Sequence, residues 1–308
     1  MESPTPYRIS TITATGSVGT PINLDILYQC LEVTMKEYEG KNEGISYIEY
    51  GKKKSETIFK GTTKKFLVNR RKVRENKRFD NQVTVVYQTK DLNLNIKTFR
   101  NGNIQVTGIK DIDKSPDVID IMIRILKDIY HSKDKGVIED VDALRNTNFK
   151  IRLINTDFKV GFGIKREFLH RILKTEYGNI CDYEPVIYPG VKIHYFYNTS
   201  NVHNDGKCYC TRKCNDIKGG GGCGDSNCKK ITIAVFQSGC IIITGSQTRA
   251  QIEECYEFIN KILSTNMERI EKKTIAALIN EQSPLQPKTI VQILKSRIIY
   301  PTSYVLST

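Results

Sequence analysis

A ten-residue pattern that occurs twice constrains this chain more than any other feature. Phe236 to Gly245 reads Phe-Gln-Ser-Gly-Cys-Ile-Ile-Ile-Thr-Gly, and Phe99 to Gly108 reads Phe-Arg-Asn-Gly-Asn-Ile-Gln-Val-Thr-Gly. Phe, Gly, Ile, Thr and Gly fall at identical spacings, 137 residues apart. Each copy predicts a hairpin: a turn glycine supplies positive φ, and a β-branched run follows that suits a pleated surface. Self-similarity at a fixed offset points to an internal duplication.

The elements around the two copies repeat as well. Tyr7–Thr15 is β-branched and reads as a strand, followed by a helix capped by Asn23 with Leu24, Leu27, Leu31 and Met35 as its buried stripe. Strands are expected at Ile45–Tyr50, Thr57–Lys60, Phe79–Gln88, Leu92–Phe99 and Ile104–Thr107, then a helix opened by Ser115-Pro116 and running to about Tyr130. The order then recurs: a strand at Phe149–Phe158, a helix at Ile164–Thr175, strands at Val191–Tyr197, Lys229–Phe236 and Cys240–Thr244, and a helix at Thr248–Leu263. This order gives an α+β class. It divides the chain into a first repeat (1–148, with an insertion at 50–78), a second repeat (149–264, with an insertion at 198–229) and a C-terminal extension (265–308) that opens with a helix over Asn266–Asn280.

The two insertions carry unlike chemistry. The first holds Lys52, Lys53, Lys54, Lys60, Lys64, Lys65, Arg70, Arg71, Lys72, Arg74, Lys77 and Arg78 against Glu56 and Glu75, a net charge of +10 within a chain whose formal net charge is +13. It reads as a polyanion-binding arm, or else as a solvated loop or nuclear signal. The second holds Cys208, Cys210, Cys214, Cys223 and Cys228 around a glycine run, with His203 upstream. Two close groups joined by a flexible loop suit one structural zinc, with Cys208, Cys210, Cys214 and Cys228 as the favoured ligands and Cys223 as the alternative; a loop of reduced thiols is the competing reading. Cys30, Cys181, Cys240 and Cys255 read as ordinary thiols. The N-terminus lacks the apolar core of a signal peptide and no run is apolar enough to span a membrane. An intracellular protein is therefore expected, at the nucleus or a viral replication site. The four histidines are scattered and the glycine run lacks a P-loop lysine, so no enzyme is expected.

Several ordered blocks resemble the TATA-box-binding protein family. In the second half these are Tyr183-Glu184-Pro185, Tyr188-Pro189-Gly190, Phe236-x-Ser238-Gly239 and Ile243-Thr244-Gly245. The first half matches through Lys77-Arg78-Phe79, Phe99-x-x-Gly102 and Val106-Thr107-Gly108-x-Lys110. The resemblance covers roughly residues 7–131 and 149–264, and the divergent motifs look most like the TATA-box-binding-protein-like proteins of giant DNA viruses.

The resemblance implies a saddle of two pseudo-symmetric half-domains, each a curved antiparallel sheet with two helices on the convex face. It also implies minor-groove binding to double-stranded DNA, with apolar wedges that kink the duplex; this family is itself an example of such kinking. Carried over, the wedges are Phe79 and Phe99 in the first repeat and Tyr188 and Phe236 in the second, unless these rings pack in a core. The floor is Thr107, Thr244, Gln105 and Ile242. The family's two asparagines fall on Thr11 and Leu153, with Asn155 (and Thr13 in the first repeat) on the same strand face. Among phosphate contacts Lys110 stays in register, while His194, Asn103, Cys240 and Gln247 replace basic residues. A B-type general transcription initiation factor and the RNA polymerase machinery are the implied partners, contacted through a loop that keeps Glu184 but has Val186 in place of its second acid. A monomer or weak homodimer is expected. The competing function is a degenerate saddle: a protein-interaction scaffold, or a sequence-tolerant DNA binder driven by the basic insertion.

Overall fold

The computed structural model describes residues 3–35, 43–51, 57–61, 81–89, 91–179, 181–210 and 228–272. Its strands are β1 (Arg8–Ser17), β2 (Gly44–Gly51), β3 (Thr57–Gly61), β4 (Gln82–Gln88), β5 (Asn93–Phe99), β6 (Asn103–Ile109), β7 (Thr147–Lys159), β8 (Cys181–Asp182), β9 (Val191–Tyr197), β10 (Lys229–Val235) and β11 (Cys240–Ser246). All join one 11-stranded sheet in the order β3-β2-β4-β5-β6-β1-β7-β11-β10-β9-β8, with every neighbouring pair antiparallel. From the central β1–β7 pair the order reads alike in both directions, save that β3 extends the first side. The helices are α1 (Leu24–Cys30), α2 (Asp117–Ser132), α3 (Arg166–Thr175), α4 (Arg249–Thr265) and α5 (Met267–Ile270).

Period-two alternation decides which face of the sheet is covered. Ile12, Ala14, Val83, Val85, Leu94, Ile96, Ile104 and Val106 pack under Leu24 and Leu27 of α1 and Ile119, Met122 and Leu126 of α2. Phe158, Ile193, Tyr195, Ile231, Ile233, Ile241 and Ile243 pack under Leu169 and Leu173 of α3 and Cys255 and Ile259 of α4. Each fully buried Ile or Leu contributes roughly 1.5–3 kcal/mol, so these two clusters dominate the cohesion of the fold. Tyr195 is fully buried and donates from its hydroxyl to Glu254 at 2.6 Å; burial first, then that carboxylate, hold its pKa far above the ordinary tyrosine value.

The connections repeat along with the strands. Gly102 and Gly239 close their hairpins at the same φ of +78°, each with its N–H on the Phe carbonyl three residues back, at 3.0 Å. A Cβ would meet the Thr20 carbonyl oxygen at 2.2 Å in one case and that of Phe162 at 2.3 Å in the other, so both turns demand glycine. Each turn binds the segment leaving the central strand: Val18 N to Gly102 O at 3.0 Å and Ile22 N to Arg100 O at 2.8 Å, against Val160 N to Gly239 O and Ile164 N to Gln237 O, both 2.9 Å.

Three helical expectations are corrected. Helix α1 stops at Cys30 instead of running to Met35, because Thr34 and Met35 turn their N–H groups onto Ile45 O. The Lys60 ammonium, from β3, takes the last carbonyls of that helix region (Tyr28, Gln29 and Leu31) at 2.8–3.1 Å. At α2, Ser115 does not cap: its hydroxyl donates to Ile112 O, and Pro116 holds the N-cap position without a side-chain bond. The helix expected over Asn266–Asn280 is a single turn, α5, after which Glu271 bridges to Ile164; residues 273–308 lie outside the described residues. Among the described residues no helix is long and apolar enough to cross a membrane.

Candidate nucleic-acid interface

The face of the sheet opposite the helices carries the other half of each strand's alternation. At its centre Ile12 of β1 pairs with Ile154 of β7, and the register is symmetric about that pair: Thr11 faces Asn155 and Thr13 faces Leu153. These four side chains are half-buried and point to the open face, between the covered Ile12 and Ile154. Thr11 accepts a hydrogen bond from Gly108 N at 3.1 Å, and Thr244 donates a short one to the Asn155 side-chain oxygen. Asn155 is therefore oriented by its neighbour. Thr107 pairs with Thr13 as Thr244 pairs with Asn155, while Gln105 lies opposite Thr15 and Ile242 opposite Asp157. The result is a floor of small and polar side chains with Ile242 and Leu153 as its apolar members.

The second end of the face holds a ring pair. Tyr188 and Phe236 lie with centroids 5.7 Å apart at 59°, both half-buried. A Cβ on Gly190 would stand 2.9 Å from the Tyr188 ring and 3.2 Å from the Phe236 ring, so glycine there lets the rings close. The Lys192 ammonium sits 4.2 Å over the Tyr188 ring. Arg166 donates to the Pro189 carbonyl and, at 3.2 Å, to Gln237, tying the two loops that carry the rings. Burial raises the Tyr188 pKa. At the first end Phe99 is half-buried beside a cleft of about 910 Å³ lined by Asn81, Asn101, Asn103, Gln105, Arg100 and Arg152, among others. Phe79 lies outside the described residues.

No protein-family model matches the chain. A curated protein of Acanthamoeba polyphaga mimivirus, named TATA-box-binding protein-like, is 32% identical over 273 residues, which is 86% of this chain and 66% of that protein. The chain is thus similar to a TATA-box-binding-protein-like protein over most of its own length. It spans slightly under two thirds of that relative's length. A solved archaeal structure, Methanococcus jannaschii TBP, aligns over 86% of this chain and 99% of its own with a TM-score of 0.41 and 18% identity, too slight a likeness to carry an inference.

Two features of this face went unread in the sequence, and the exposure of a loop beside it was not foreseen. Asp157 occupies the open face and is neutralised by Arg8, Nε to Oδ2 at 2.8 Å; strand alternation from Asn155 was the signal that could have found it. Arg152, at a register shift in β7, reaches Thr15 at 2.7 Å. In the loop of Glu184, Val186 and Ile187 are 99% and 81% exposed and form an apolar tip.

The second end of the face carries charge as well as the first. His194 and Lys192 of β9 and Lys230 of β10 line one stretch. Burial first, then Lys230, push the His194 imidazole below its ordinary pKa, while Asp182 at 3.5 Å pulls the other way. Lys110 is exposed just past β6. Of the basic insertion, Lys52, Lys53, Lys54, Lys64, Lys65, Arg70, Arg71, Lys72, Arg74, Lys77 and Arg78 lie outside the described residues, as do Cys214 and Cys223. Cys208, Cys210 and Cys228 are brought together.

Proposed function

We propose that this chain binds double-stranded DNA through the open face as a divergent saddle of two pseudo-symmetric half-domains, bends it at the minor groove, and acts as a transcription initiation factor. The observation that carries the reading is the arrangement along one face: the Tyr188–Phe236 ring pair at one end, Phe99 at the other, and between them a floor of Thr11, Thr13, Asn155, Thr107 and Thr244. Rings that wedge into base steps cost a few kcal/mol of unstacking per step, recovered when the bent duplex meets the floor. Small hydroxyls and one amide suit the minor groove, whose A·T pairs offer only acceptors. Asn155 donates to those acceptors from its amide nitrogen, since its oxygen is taken by Thr244. The reading assigns no catalytic step.

Recruitment uses the Glu184 loop. A B-type general transcription initiation factor, and through it the polymerase, docks on Glu184 together with the exposed Val186–Ile187 tip. A cognate factor would present an apolar contact beside a basic one.

Asp157 favours a second reading. An acid on the floor, even when paired with Arg8, opposes a polyanion, as a face turned to protein docking would allow. Fluorescence anisotropy with A·T-rich and G·C-rich duplexes of equal length, across a salt series, separates the two. About a tenfold preference for A·T, some 1.4 kcal/mol, supports the bending saddle. Equal and steeply salt-dependent binding would assign the affinity to the basic insertion, and no binding would leave the docking scaffold.

A further inference from the structure

We propose that Cys208, Cys210 and Cys228 bind a single thiophilic metal ion, zinc in the cell, that fastens the cysteine-bearing insertion to the β9–β10 end of the sheet. The three sulfurs lie within 4.8 Å of one another, with Cys210 and Cys228 3.4 Å apart. Tetrahedral zinc with Zn–S bonds of about 2.3 Å holds its sulfurs roughly 3.8 Å apart, inside that spread. A disulfide needs its sulfurs at about 2.05 Å, so the grouping is not that of a bridged pair.

The backbone delivers these thiols by specific bonds. Leaving β9, Asn198 accepts from Ser200 N and Asn201 from His203 N, both at 3.0 Å. Asp205 then accepts from Lys207 N at 3.0 Å, and its carbonyl takes the Asn179 amide, also at 3.0 Å. Phe196 N donates to Gly206 O at 3.0 Å, which draws the returning segment back along β9. Cys208 and Cys210 thus arrive beside Cys228, a buried residue immediately before β10. A second observation points to a thiolate there: the Asn198 amide nitrogen lies 3.6 Å from the Cys228 sulfur, as an outer hydrogen bond that orients a metal-bound sulfur. Three thiolates leave one tetrahedral position for a further ligand. A closed sulfur-rich set of this kind is structural in character, and its binding energy becomes stability of the segment it closes.

The test is made on the full chain, purified in reducing buffer without chelator, and its readout does not depend on DNA binding. Elemental analysis is expected to give about one zinc per chain, and cobalt exchanged into the site should show thiolate-to-metal charge-transfer absorption with tetrahedral d–d bands. A Cys208→Ser, Cys210→Ser double variant, which leaves the buried Cys228 intact, should fall below about a tenth of an equivalent, with circular dichroism unchanged over the sheet. Cys30→Ser, remote from the cluster, should keep its zinc. Metal-free wild-type protein that takes up no added zinc or cobalt would overturn the proposal. So would zinc retained in the double variant, or a Cys210–Cys228 disulfide in protein kept reduced.

Discussion

The two ends of the open face are built on the same hairpin yet arm it differently. At the second end Phe236 meets Tyr188, and Gly190, Lys192 and Arg166 hold the pair in place. At the first end Phe99 borders a wide cleft of asparagines, Gln105 and arginines. The hairpin glycines, their φ of +78° and their bonds to the exit of the central strand are common to both. Backbone geometry has thus been kept where side-chain chemistry has drifted, because the turns are over-determined by close approach and the rim residues are not.

The largest effect tests the shared part. Gly102→Val and Gly239→Val should each cost about 3 kcal/mol or more in urea unfolding, since each combines a left-handed backbone with a carbonyl inside contact distance. A marked inequality would break the equivalence of the two turns. Next, Phe236→Ala and Phe99→Ala should each weaken binding to A·T-rich duplex by about tenfold or more, roughly 1.4 kcal/mol, with the larger bend loss, read by end-to-end energy transfer, at Phe236. If only Phe236 matters, the first end does not wedge. Tyr188→Phe removes a hydroxyl that must lose water on insertion, and affinity should rise by about 1 kcal/mol; a fall would mean the hydroxyl has a bonding partner on the DNA. Lys192→Gln should cost about 0.5–1 kcal/mol of binding and lower the salt slope by about 0.9 if the ammonium meets a phosphate.

The smallest effect concerns pH. A histidine whose folded pKa lies below the unfolded value is neutral in both states above about 6.5 and penalises folding only below it. Wild-type thermal stability should therefore decline as pH falls from about 6.5 through the folded His194 pKa, and His194→Gln should flatten that part of the curve. An unchanged profile would place the titration elsewhere.

Strands were legible because alternation is a local signal: Leu94 and Ile96, or Ile241 and Ile243, reveal the covered face without knowledge of the fold. Helix ends were legible where a local side chain caps them, as at Asn23 and Thr248, and not where other residues decide. The stop of α1 depends on Lys60 and Ile45, which come from strands distant in sequence, and Ser115 looks like a cap but spends its hydroxyl on Ile112. Within the site, the motifs named Tyr188 and Phe236, which the structure brings together, whereas the Arg8–Asp157 pair required knowing that β1 and β7 are neighbours. The cysteine spacing announced a cluster, but which thiols converge depends on how residues 198–210 fold back, and that is set by scattered asparagine and aspartate turns.

The symmetric register about Ile12 and Ile154 has a consequence for orientation. A surface with two equivalent halves fits a duplex equally well after rotation by half a turn, so its backbone confers no preferred heading along the strand. Polarity must come from residues that differ between the halves. Here those are Leu153 against Thr11, Asn155 against Thr13, Ile242 against Gln105, and the Tyr188 ring with its Lys192 companion. If the face binds duplex DNA as proposed, exchanging the central four between β1 and β7 would be expected to weaken any preferred heading, leaving the Ile242–Gln105 and Tyr188–Lys192 differences to set it, while the affinity stays nearly unaltered.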